Sequence, residues 1–141
     1  MKRFELRPRE GVGDLRFGMT PREIRERLPE RELYEGWMGG NLNDSLLFHG
    51  AILGFDRCDS MRPLPDASLV DVHVRLREDA SFADRSLSHW TRETLEAYFA
   101  SEGVPLQHDR AGGITVLELG LWFTFGSDGK VEEAGVYQTT S

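Results

Sequence analysis

The sequence holds one cysteine, two lysines and no long apolar run. Cys58 alone can form neither an intrachain disulfide nor a cysteine-based zinc site. No window approaches the ~20 apolar residues that a membrane helix needs. Behind the basic start Met1-Lys2-Arg3 there is no apolar stretch, so neither a secretory leader nor a lipid anchor is expected. The chain therefore reads as cytoplasmic, with no membrane partner. Of the 17 basic residues only Lys2 and Lys130 are lysine, and 24 acidic residues leave a net charge of −7. That balance excludes nonspecific binding of nucleic acid, which needs a basic face. It suits a binder of a basic protein, because complementary charge speeds encounter.

Catalytic patterns are also missing. His49, His73, His89 and His108 show neither i,i+4 nor His-x-His spacing, so no metal site is expected. Nothing local joins His49, Cys58 and Asp56 or Asp59 into a nucleophile set. Glu132 and Glu133 are adjacent, so in a strand they point to opposite faces and read as solvated charges. Gly11-Val12-Gly13 and Gly39-Gly40 lack the Lys-Ser/Thr of a phosphate loop. Trp122-Phe123-Thr124-Phe125 lacks the interleaved basic residues of an RNA-binding strand. The expectation is a protein that is not an enzyme, with no catalytic residue and no cofactor.

What the sequence does contain is a well-made corner. In Leu15-Arg16-Phe17-Gly18-Met19-Thr20-Pro21-Arg22-Glu23-Ile24, Thr20 can cap a helix that starts at Pro21, where the missing N–H costs nothing. Glu23 can reach back to close a capping box, and Gly18 supplies the sharp turn out of a strand. Ile24 and Leu28 follow at helical spacing among charged residues, with Pro29 limiting the helix.

The rest of the chain reads as strands and one further helix. Residues 3–6, 15–17, 46–55, 114–119, 121–125 and 131–138 have strand character, the last two joined by a turn at Ser127-Asp128-Gly129-Lys130. The clearest strand alternates Val70, Val72, Val74 and Leu76 with Asp71, His73, Arg75 and Arg77. A second helix runs from Ser88 or Thr91 to Ser101 and ends at Gly103 and Pro105. With 141 residues and 39% hydrophobic content, one domain spanning 1–141 can bury a real core. The predicted fold is α+β: an antiparallel sheet of about six strands with two helices on one face. A tandem duplication with half-repeats 11–80 and 81–141 is suggested by a recurring order of elements. At an offset of 70, Asp14 meets Asp84, Arg22 meets Arg92, Glu23 meets Glu93, Gly50 meets Gly120 and Phe55 meets Phe125.

The Leu15–Ile24 stretch resembles the Phe-Gly-Met-Thr/Ser-x-x-x-Val/Ile signature of small bacterial α+β proteins. These include the β-lactamase inhibitory protein, itself a tandem repeat, the assembly lipoprotein BamE, and immunity-type proteins encoded beside secreted toxins. The resemblance covers about ten residues strongly and the repeat layout weakly, and it specifies a corner rather than a chemistry. The second half departs from it, with Ser88-His89-Trp90-Thr91 in place of the motif, and Cys58 alone cannot supply the inhibitory protein's disulfides. The resemblance implies a helix-on-sheet unit used as a protein-binding surface.

Strand alternation in Leu121 to Phe125 buries Leu121, Phe123 and Phe125 and turns Trp122 to the other face. Ile52 is its counterpart at the same offset. Trp122 and Ile52 are thus the predicted anchors of a protein interface on the open face, with His73 and Arg75 beside them and Trp37-Met38 contributing from a loop. The expected partner is a protein, in the first place a basic toxin domain. The alternative is a self-associating structural protein, a homodimer through the same face.

Overall fold

The computed structural model describes residues 4–27, 34–35, 45–48, 51–59, 62–75 and 80–139. The fold is α+β and mostly β, with two α-helices among the described residues. The N-terminal strands β1 (Phe4–Arg7), β2 (Gly11–Val12) and β3 (Leu15–Arg16) lead through the Gly18 corner into helix α1 (Pro21–Arg27). Then come β4 (Tyr34–Glu35), β5 (Ser45–Phe48), β6 (Ala51–Phe55), a small hairpin of β7 (Cys58–Asp59) and β8 (Arg62–Pro63), and β9 (Leu69–Arg75). Strands β10 (Ala80–Phe82) and β11 (Arg85–Ser86) precede a single 3-10 turn and helix α2 (Arg92–Ser101). The chain finishes with β12 (Gln107–His108), β13 (Ile114–Val116), β14 (Leu121–Phe125) and β15 (Val131–Tyr137).

The expected six-stranded sheet is in fact an eight-stranded antiparallel one, in the order β12-β13-β14-β15-β9-β6-β5-β4. Read from either end, a four-stranded meander runs inward, and the two meanders join through their last strands. The stretch 46–55 is two strands of a hairpin rather than one, because Phe48 pairs with Ala51. A second, five-stranded sheet, β11-β10-β1-β2-β3, contains one parallel pair, Phe4 with Ala80. Val70 departs from the expected inward row. The register slips between Gly54 and Phe55 opposite it, so Leu69, Val72 and Val74 are buried and Val70 is half-buried.

One face of the large sheet is dry. Ala51, Leu53, Phe55, Val72, Val74, Ile114, Val116, Leu121, Phe123, Ala134 and Val136 are all 3% exposed or less. The small sheet and α2 cover it through a cluster of rings: Phe82 lies 5.7 Å from Phe99 and from Phe123, and 5.7 Å from Trp90. The Trp90 indole N–H donates to the Phe82 carbonyl at 3.0 Å, so its burial leaves no polar group unpaired.

Both corners are built alike. At the first, the Thr20 N–H donates to Glu23 Oε1 at 3.1 Å and the Glu23 N–H to Thr20 Oγ1 at 3.2 Å, the expected capping box. Gly18 has φ +96°, a conformation glycine reaches freely. At the second corner Thr91 is the cap, with the Thr91 N–H donating to Thr94 Oγ1 at 2.8 Å and the Thr94 N–H to Thr91 Oγ1 at 3.2 Å. The backbone bonds also match. Met19 N–H donates to the Arg16 carbonyl and Trp90 N–H to Leu87, while Leu69 N–H donates to Met19 and Val131 N–H to Trp90. Each corner is thereby tied to the first residue of its meander's last strand. An offset of 70 relates Ile52 to Trp122, but the caps Thr20 and Thr91 stand one residue further apart, so Arg22 does not match Arg92. Leu69 and Val131 stand eight residues closer, because β7 and β8 lengthen the first link. Thr91→Ala is expected to cost about 1 kcal/mol. A lower urea midpoint with an unchanged slope would show it.

Candidate functional site

The face of the large sheet opposite the ring cluster carries the candidate site. Cross-strand register lines up Thr115, Trp122, Gly135, His73, Ile52 and Leu47 in one rung across β13, β14, β15, β9, β6 and β5. Four residues singled out in the sequence therefore share one face: Ile52 and His73 are direct partners, Trp122 lies two strands beyond His73 with Gly135 between them, and Arg75 is the next outward residue of β9. Trp37 and Met38 lie outside the described residues.

Gly135 sets the geometry. A Cβ there would overlap the Trp122 ring, so the indole lies flat across β15 because that strand offers it no side chain. Crossing the glycine brings Trp122 to His73, whose ring centroid is 4.9 Å away in an edge-on arrangement at 63°. Beside this pair, Glu133 is 26% exposed and lies between two basic side chains. Its Oε2 is 3.3 Å from His73 Nε2 and its Oε1 is 3.3 Å from Arg75 Nε. The His73 contact is close but poorly aligned, and His73 Nε2 is buried without a hydrogen-bond partner. It is an electrostatic contact rather than a hydrogen bond. Glu133 thus corrects the expectation of a solvated charge, whereas its neighbour Glu132 is exposed.

A second glycine repeats the device. Gly54 leaves room for the Asp71 carboxylate, which lies 2.5 Å from where a Cβ would stand. The face therefore combines one broad aromatic plane, an aliphatic residue and alternating charges. The sequence signal for Gly135 and Gly54 was available: an isolated glycine inside a strand marks a close approach.

The N-terminal strand does not cover Trp122. It belongs to the small sheet, whose Phe82 packs on Phe123, a residue that points the opposite way from Trp122. Phe125, expected in the core, is only partly buried, with the Arg92 guanidinium 4.9 Å from its ring centre. Among the described residues no group of three or more His, Cys, Asp or Glu is arranged to hold a metal ion, and no helix is long and apolar enough to cross a membrane. His49, and the side chains of Cys58 and Asp59, lie outside what is described. No protein-family model, curated protein or solved structure matches this chain.

Proposed function

We propose that this chain is a non-enzymatic cytoplasmic binding module of the immunity type, which neutralises a basic toxin by seating it on the open face of the large sheet. The observation that carries the reading is the Ile52–His73–Gly135–Trp122 rung, in which a half-buried indole lies over a glycine. Tryptophan and arginine are the residues that most often dominate binding energy, and here Trp122 and Arg75 stand on adjacent rungs of one face. Glu133 and Asp71 add negative charge there, and the net charge of −7 favours a basic partner by steering. The function needs no cofactor, metal, nucleic acid or membrane.

The architecture that goes with this reading is a tandem duplication with both helices on the inner face of the sheet. It is supported by the two capping boxes, the paired backbone bonds at Met19 and Trp90, and the mirrored strand order. Register slips at Gly54/Phe55 and at Thr124/Phe125 add a further match.

The test is recovery of a partner from the native host with the tagged chain, alongside Trp122→Ala. Trp122 lies on the open face, so its truncation leaves the dry core intact and the variant is expected to stay folded. A single stoichiometric basic protein, toxic when expressed alone and harmless with this chain, is the expected result. Trp122→Ala is expected to weaken its binding by about 2 kcal/mol, about thirtyfold. Absence of any partner, with the chain running as a defined dimer by light scattering, would overturn the reading in favour of self-association.

A further inference from the structure

On the other side of the sheet, a groove of about 350 Å3 opens between the small sheet and α2. Its floor is apolar: Leu6, Phe82, Phe99, Val104 and Leu119, with Tyr98 beside them. Its rim is acidic, with Glu5, Glu10, Asp84 and Glu102 against the single cation Arg7. Arg7 is already spent on Glu5, at 2.9 Å, and Glu10 has Arg16 at 3.8 Å. Among the described residues no ion pair engages Asp84 or Glu102.

Those two carboxylates act on the same point. The Tyr98 phenol is held above its ordinary range, first by burial, then by Glu102 as charge and hydrogen-bond acceptor, and also by the charge of Asp84. Burial disfavours a charge of either sign, but the contributions of Glu102 and Asp84 mark a negative potential that favours a positive one.

We propose that this groove docks an arginine side chain of a protein partner, its methylenes on the apolar floor and its guanidinium between Asp84 and Glu102 against the Tyr98 ring. The chemistry favours arginine over lysine. A guanidinium is planar and weakly hydrated, so it can lie on an aromatic face while its fork of N–H groups reaches two carboxylates. A lysine ammonium holds its water more tightly and cannot stack. The chain itself uses this contact elsewhere, with Arg85 4.1 Å over Trp90 and Arg92 4.9 Å over Phe125. The floor supplies what a free cation would not need, an apolar bed for a three-carbon stem. This docking site is separate from the Trp122 face and does not rest on the immunity reading.

The probe is Nα-acetyl-arginine amide, titrated into the isotopically labelled full chain and followed by amide chemical shifts. Nα-acetyl-citrulline amide, of the same shape without the charge, is the comparator. Saturable shifts at Asp84, Tyr98, Glu102 and Leu119 are expected in the millimolar range. Citrulline should bind at least about tenfold more weakly, the difference one charge-assisted contact makes. The double variant Asp84→Asn, Glu102→Gln should lose the response while its thermal unfolding and the shifts of β14 and β15 stay unchanged. An equal response to citrulline, shifts centred elsewhere, or no saturable shift would overturn the proposal. Tighter binding of free arginine than of the capped amide would overturn the protein partner in favour of a small metabolite. None of these outcomes involves Trp122, so failure here and failure of the open-face reading are distinguishable.

Discussion

Phe99→Ala is expected to lower the free energy of unfolding by about 3–5 kcal/mol. Phe99 is 1% exposed and stands where three elements meet. Its ring lies 5.7 Å from Phe82 of the small sheet, 6.5 Å from Phe123 of the large one, and 5.1 Å from Tyr98 of its own helix. Such a site collapses poorly after truncation, because each wall belongs to a different hydrogen-bonded element. The Phe99 carbonyl also accepts the Val104 N–H at 2.9 Å, which anchors the helix end and resists inward movement. Urea unfolding followed by tryptophan fluorescence would measure the loss. A domain of this size has about 5–15 kcal/mol in total, so the variant should sit close to its threshold. Phe125→Ala is the internal control. Its ring is only partly buried, and a loss as large as that of Phe99 would mean that exposure, and not the three-way junction, had been misjudged.

The second large effect belongs to Gly120, at the entry to β14. Its φ is +65°, and a Cβ there would overlap the backbone carbonyl of Tyr137. Movement away from that carbonyl is blocked, since the Tyr137 N–H donates to the Gly120 carbonyl at 2.8 Å. Gly120→Ala therefore combines left-handed strain with a backbone clash, and about 3 kcal/mol is expected. Gly129→Ala separates the two causes. Gly129 has φ +78° but open space around it, so only the strain of about 1 kcal/mol applies. Equal losses at the two positions, measured by thermal unfolding, would remove the clash as an explanation.

The corner at Thr20 was legible because every signal in it is local. Cap, proline and glutamate lie within four residues, and their chemistry allows one structure. The outward row of β9 was legible for the same reason, and so Ile52, His73, Arg75 and Trp122 were placed on one face. The number of strands was not. Strands of two residues, such as β2, β3 and β11, are too short to show alternation, and the parallel pair of β1 with β10 joins residues that only the folded chain brings together. The run from Leu46 to Phe55 hid its hairpin because apolar residues continue on both sides of His49-Gly50. Glu133 was misjudged because its environment comes from β9, a neighbour far away in sequence. The groove at Tyr98 has no sequence signature at all, since its walls come from β1, β10, α2 and the turn before β14.

The seam between β9 and β15 has a consequence for how the chain must assemble. Every other pairing in the large sheet joins strands that follow one another closely, so each meander can zip up from hairpins within microseconds. The seam alone pairs distant residues, Arg75 with Glu133 and Asp71 with Tyr137, and it bears the entropy of closing that long loop. Until it closes, each half shows the longest strands of the sheet, seven residues apiece, as unpaired edges beside an apolar face. Those are the templates on which folding intermediates aggregate. The finished sheet hides both against each other and, among the described residues, leaves at its margins β4 and β12, two residues each. Edges that short offer almost nothing for a foreign strand to grip.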